Sequence, residues 1–116
     1  MRVLVCGDRN ECRKAYIYDQ IRTLPRDTVI IEGGARGVDT IARQVAESLG
    51  LKIEEYRANW RKHGKAAGPI RNFEMLTEGK PDEVWAFHAD IEASKGTKHM
   101  VKIAKQAGVP VKIFQS

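Results

Sequence analysis

With 116 residues the chain suits one domain with a real core, and its 42% hydrophobic and 30% charged content is that of an ordinary globular protein rather than a disordered or fibrous one. No apolar run approaches membrane-spanning length, so no membrane partner is expected. The net charge of +5 is concentrated: Arg57, Arg61, Lys62, Lys65 and Arg71 lie in a stretch, 57–73, without a single acid, and the rest of the chain balances.

In chain order, Met1-Arg2-Val3-Leu4-Val5 is too short for the apolar part of a signal peptide and reads as a strand, making the cytoplasm the default location. The strand, 2–6, is apolar throughout and stops at Gly7-Asp8, as expected of a strand buried on both faces. Cys6 and Cys12 form no CxxC pair and no metal-ligand spacing, so two free thiols and no metal site are expected. From about Arg13, Ile17, Ile21 and Leu24 recur at helical spacing until Pro25.

Thr28 to Ile31 is the second apolar strand. Glu32-Gly33-Gly34-Ala35-Arg36-Gly37-Val38-Asp39 follows and opens an amphipathic helix, with Val38, Ile41, Ala42, Val45, Ala46 and Leu49 on one face and Gly50 as its stop. Strand, glycine turn and helix start together bring free backbone N–H groups to one point, where an anion fits. The turn is neither GxGxxG nor a P-loop, so NAD and ATP by the usual motifs are not indicated. Asp39 in the first helical turn reads as a capping carboxylate.

Leu51 to Tyr56 is a weaker third strand, near the sheet edge because Lys52, Glu54 and Glu55 are charged. Arg57 to Gly68 is basic without clear periodicity, and Trp60 within it either stacks on a base or packs against the sheet. Pro69 suits the first turn of a helix whose apolar face is Ile70, Phe73 and Leu76. Arg71 there can clamp a phosphate, and Asn72 can contact a sugar or base. Gly79-Lys80-Pro81 closes this helix. Val84 to Phe87 is the fourth strand, and His88 to Ser94 a polar loop whose Asp90 and Glu92 either are solvated, hold Mg²⁺ or act on a ribosyl bond. Gly96-Thr97 starts a helix with Met100, Ile103, Ala104 and Ala107 inward, and Val109 to Phe114 is the fifth strand.

Strands alternating with helices predict an α/β fold: a Rossmann-like three-layer sandwich of about five parallel strands with helices on both faces, in a single domain over 1–116. Ligands in such folds bind beyond the carboxyl ends of the strands, where strand order reverses.

Four motifs combine at this point: Gly7-x-Arg9; Gly33-Gly34-Ala35-x-Gly37-x-Asp39; Ala67-Gly68-Pro69-x-Arg71-Asn72-x-x-Met75; and Ser94-x-Gly96-Thr97-x-x-Met100, followed by Ala107-Gly108-Val109-Pro110-Val111. As a set they resemble the YspA-like, cpYpsA-related branch of the SLOG superfamily, whose small stand-alone members are common in bacteria and their phages. The superfamily takes its name from Smf/DprA DNA-processing proteins and the Lonely Guy phosphoribohydrolases. The resemblance implies a nucleotide or nucleotide-derived ligand. Gly7, Arg9, Gly33, Gly34, Ala35, Gly37, Asp39, Lys65, Arg71, Asn72, Ser94, Gly96 and Thr97 are the candidate binding residues.

Lonely Guy enzymes cut an N-glycosidic bond of nucleoside monophosphates with an Arg from R-K-x-x-M and a Glu after P-G-G-x-G-T. Arg71 and Met75 match the first stretch. In the second, Glu92-Ala93-Ser94 replaces Pro-Gly-Gly and His99 stands at the Glu position. Hydrolysis would then fall to Arg71 with Asp90, Glu92 or Asp39 as the acid. Three readings follow: a nucleotide-binding or sensing module, with Mg²⁺ arriving only on a phosphorylated ligand; a nucleoside-phosphate N-glycosidase; and a DNA- or RNA-binding module using the 57–73 segment. Lonely Guy relatives form dimers, so the resemblance is compatible with a homodimer without specifying one.

Overall fold

The computed structural model describes residues 1–115. Five strands, β1 (Arg2–Gly7), β2 (Val29–Glu32), β3 (Lys52–Glu55), β4 (Glu83–Phe87) and β5 (Val111–Phe114), form one sheet in the order β3-β2-β1-β4-β5. Every neighbouring pair is parallel. The helices are α1 (Lys14–Ile21), α2 (Val38–Ser48), a one-turn α3 (Trp60–His63), α4 (Ala67–Thr77) and α5 (Gly96–Gln106).

The continuous apolar strands are explained by two cores. Val3, Val5, Ile30, Trp85 and Phe87 point to one side, where α1 and α2 supply Ile17, Ile21, Val38, Ile41, Ala42, Val45 and Ala46. Leu4, Cys6, Ile31, Val84 and Ala86 alternate to the other side, against Met75 of α4 and Met100, Val101, Ile103 and Ala104 of α5. This is the expected Rossmann-like sandwich, and β3 lies at an edge as its charges suggest. No helix among the described residues is long and apolar enough to cross a membrane.

Four local expectations are corrected. Helix α1 ends at Ile21, and Leu24 packs from a turn in which Leu24 N–H bonds to the Ile21 carbonyl. The segment before Pro69 is partly helical: Asn59 Oδ1 accepts from Lys62 N–H at 3.0 Å and starts α3, a 3₁₀ turn follows over Gly64–Ala66, and α4 begins at Ala67. Helix α4 is also rotated from the Ile70-Phe73-Leu76 face: it buries Ala67, Asn72 and Met75 and leaves Phe73 49% exposed. The inward position is held by a polar residue, Asn72, whose partners lie in α5. In α5 itself Ala107 is exposed beyond the last helical turn.

Candidate functional site

Strand order reverses between β1 and β4: α1 leaves one face of the sheet and α5 the other. The carboxyl ends of these strands therefore open into a crevice, the usual ligand position in an open parallel sheet. Four chain segments meet there: the loop after β1, the glycine turn after β2, the start of α4 and the start of α5.

The glycine turn is not an empty anion nest. Asp39 Oδ2 accepts from the N–H groups of Gly33 at 3.1 Å and Ala35 at 3.3 Å, and Glu32 Oε1 accepts from Gly34 N–H at 2.6 Å. The free donors expected of this turn are thus occupied by carboxylates of the same chain, because an acid on each side of the glycines lies within reach of them. Asp39 is 7% exposed. Burial pushes its carboxyl up to about 6, although the nearby Arg71 guanidinium and the two amides favour the charged form.

Glu32 is fully buried at the end of β2, in register with Glu55 at the end of β3. Glu32 Oε2 and Glu55 Oε2 are both buried without a hydrogen bond from the rest of the described residues, and Arg43 Nε lies 3.8 Å from Glu55 Oε2. Two ionised carboxylates cannot share such a place, so the pair holds one proton between them. Burial, then the Glu55 carboxylate, pushes Glu32 up to about 8. Glu55 lies below its ordinary value, through its bond to Glu32 and the guanidinium of Arg57, whose Nε is 2.5 Å from Glu55 Oε1.

Arg71 and Asn72 cross the crevice. Arg71 Nη1 donates to the Gly33 carbonyl at 2.5 Å and Nε to Asn72 Oδ1 at 3.1 Å. Asn72 Nδ2 in turn reaches the Gly96 carbonyl at 3.4 Å and His99 Nδ1 at 3.1 Å. A donor on Nδ1 leaves the proton of neutral His99 on Nε2, and burial with Lys102 nearby keeps the ring below its ordinary pKa. One Arg–Asn pair therefore ties the turn after β2 to the start of α5.

The start of α5 still offers donors. Ser94 Oγ accepts from Lys98 N–H at 3.1 Å. The N–H groups of Gly96 and Thr97 have no partner among the described residues, as the first turn of a helix dictates. Thr97 is 6% exposed and its hydroxyl is likewise unbonded among the described residues. An open groove of about 540 Å³ adjoins this point, lined by Ser94, Lys95, Lys98, His99 and Lys102 along with Glu92. A cavity of about 520 Å³ between Tyr18, Arg22, Leu24, Leu49 and Leu51 lies at the opposite, amino edge of the sheet.

The remaining sequence candidates have separate structural roles. A Cβ on Gly7 would overlap the Phe87 carbonyl, and one on Gly37 the backbone of Asp8 and Arg9. These two glycines let the loops pack together. A Cβ on Gly33 would collide with the Arg71 guanidinium. The Arg9 side chain is exposed and unpaired among the described residues, and Lys65 is exposed on the 3₁₀ turn. Trp60 is 60% exposed and rests near Gly68 rather than under the sheet.

Asp90 Oδ1 accepts from Ala93 N–H at 3.3 Å, and the exposed Glu92 pairs with Lys98 Nζ at 2.9 Å. Asp90 thus caps the short 3₁₀ turn Ile91–Ala93, and Glu92 is tied to the first turn of α5. Glu32, Glu55 and the lysines of α5 are features that sequence reading missed. Each left a signal: an acid abutting Gly33-Gly34, an acid ending the neighbouring strand, and lysines at helical spacing.

Residues 1–63 match the model of the YspA, cpYpsA-related SLOG family. Gene 61 protein of Mycobacterium phage D29 is 37% identical over 119 residues, covering 95% of this chain and 93% of its own. The chain belongs to the YspA, cpYpsA-related SLOG family. Its fold is similar to the X-ray structure of DNA processing protein A (DprA) from Streptococcus pneumoniae, with a TM-score of 0.77 and 20% identity over 97% of this chain. The chain spans 49% of that DprA chain, about half its length.

Proposed function

We propose that this chain, acting as a single domain, binds a nucleotide-derived small molecule at the carboxyl edge of the sheet. The carrying observation is the Arg71–Asn72 bridge, which joins Gly33 to Gly96 and His99 across the reversal of strand order. The occupancy of the glycine turn by Asp39 and Glu32 refines the pose. A phosphate is repelled from that turn and suits the free amides of Gly96 and Thr97 with the Thr97 hydroxyl. Ribose or base then lies towards Arg71, Asn72 and Asp39, whose carboxylate accepts from hydroxyls.

Thermal denaturation against a panel of nucleoside mono-, di- and cyclic phosphates tests this. A ligand at a hundred times its Kd raises stability by about 2.7 kcal/mol, which a melting curve detects. Arg71→Ala is expected to weaken the interaction at least tenfold, by about 1.4 kcal/mol, and Arg71→Lys to restore only part of it because the forked donor is lost. No shift with any member of the panel rejects the proposal.

One observation favours an added hydrolytic role. Asp39 lies beside Arg71 in the crevice, and burial raises its carboxyl to about 6, so it would be the acid of that role. Release of free base from a bound nucleoside monophosphate, lost in Asp39→Asn, is the expected signature of that role. Binding without release leaves a sensing module.

A further inference from the structure

We infer that the solvent face of α5, with Phe73 of α4 beside it, is a docking surface for single-stranded nucleic acid. This inference does not rest on the nucleotide reading of the crevice. Lys95, Lys98, Lys102 and Lys105 are all exposed and recur every three or four residues, which puts them on one side of the helix over about 15 Å. From Ala93 to Gln115 the chain has five lysines and no acid. The carboxylate that reaches the row is Glu92, on Lys98, while Lys95, Lys102 and Lys105 have no ion-pair partner among the described residues. Like charges a turn apart repel and weaken the helix that carries them, and a polyanion laid along the row relieves that repulsion.

Aromatic groups border the row. Phe73 is half exposed, and its ring meets His99 edge to face with centroids 5.3 Å apart. His99 lies one turn from both Lys95 and Lys102. The open groove of about 540 Å³ is lined by His99 together with Lys95, Lys98 and Lys102. Arg61 and Lys62 of α3 and Lys65 of the following 3₁₀ turn, from the other acid-free stretch, precede α4, where Trp60 rests near Gly68. Cations that follow a backbone, with exposed rings on which bases stack, are the combination that holds single strands without reading their sequence. An acidic protein would use the lysines but leave Phe73 without a role.

The test is fluorescence anisotropy of labelled dT20 with the full chain from 50 to 300 mM salt. Binding is expected with a slope of about −2 to −3 in log K against log salt, since each neutralised phosphate of a single strand contributes about −0.7. Replacing Lys98, Lys102 and Lys105 together with Gln should weaken binding at least tenfold and flatten the slope, with the melting temperature retained. Phe73→Ala should weaken it roughly tenfold through lost stacking and leave the slope unchanged. A saturating mononucleotide should not displace the oligonucleotide.

Several results overturn the inference. One is no binding at 50 mM salt. Another is equal affinity for a duplex of the same length. The inference also fails if the triple variant keeps its slope, if Phe73→Ala has no effect, or if the strand is displaced by a mononucleotide or by polyglutamate of equal charge.

Discussion

Gly37→Ala is expected to remove about 3–5 kcal/mol of stability, a large part of what a domain of this size possesses. Gly37 sits at φ 78°, ψ −127°, a conformation closed to side chains with a Cβ. The added methyl would also overlap the Asp8 carbonyl and the Arg9 backbone. That carbonyl accepts from Val38 N–H at 3.0 Å and so clips the loop after β1 to the first turn of α2. Relieving the overlap means opening this clip and disturbing Val38, which is fully buried. Gly96→Ala is the matched control, because nothing lies within 4 Å of its added Cβ and a helical alanine is favoured over glycine. Urea denaturation followed by circular dichroism should show a collapse for the first variant and near-native stability for the second. Equal stability of Gly37→Ala and the parent chain would mean that the loop after β1 is not packed there.

The second large effect is a loss of stability as pH rises, caused by Glu32. Its folded pKa of about 8 exceeds its ordinary 4.5. Between those values the native chain keeps a proton that the unfolded chain has released. Stability from this group is therefore complete below about 4.5 and is lost as pH rises through 8. Asp39 acts in the same direction over a lower window, from 3.8 to about 6. His99, held below its ordinary 6.5, opposes them, since its neutral form is the one the fold accommodates. Glu11, Glu54, Glu55 and Glu92 are held below their ordinary values and act at lower pH.

Comparison with Glu32→Gln isolates the shared proton. Glutamine can accept from Gly34 N–H and donate to Glu55 Oε2 without titrating. Between pH 6 and 9 the parent chain should lose about 2–3 kcal/mol relative to this variant. Parallel stability curves for the two proteins over that range would contradict the shared proton. The glycine turn depends on the same group, because Glu32 Oε1 holds Gly34 N–H. Alkaline pH should thus loosen the turn before the rest of the sheet.

The layout of the sheet was legible because its strands are buried on both faces. Runs such as Val3-Leu4-Val5-Cys6 have no other ready interpretation, and the helices α2 and α5 carry strong apolar stripes. The meeting of the turn at Gly33 with Arg71, Asn72 and Gly96 was legible too, since parallel topology sends all of these segments to one edge. The occupancy of the turn was not. Glu32 and Glu55 stand 23 residues apart, and only the parallel register of β2 on β3 opposes them. Helix α4 was misoriented for a related reason. Hydrophobic periodicity counts Phe73 as inward and Asn72 as outward, whereas hydrogen bonds to Gly96 and His99 make the amide the buried group. The lysines of α5 lie opposite its apolar stripe, and in a sequence such a charged face is indistinguishable from an ordinary solvated one.

A nucleotide-derived ligand in the crevice between the start of α5 and the Arg71–Asn72 bridge would be felt first by the groups that line it. Amide and guanidinium NMR shifts of the labelled chain, followed during titration with the nucleoside phosphate that most raises its melting temperature, read those groups directly. Saturable changes are expected at Gly33, Arg71 Nε, Asn72 Nδ2, Gly96, Thr97 and His99, with Leu24, Leu49 and Leu51 at the amino edge unmoved. Changes centred on those leucines, with the Gly96 and Thr97 amides unaffected, would contradict binding in the crevice.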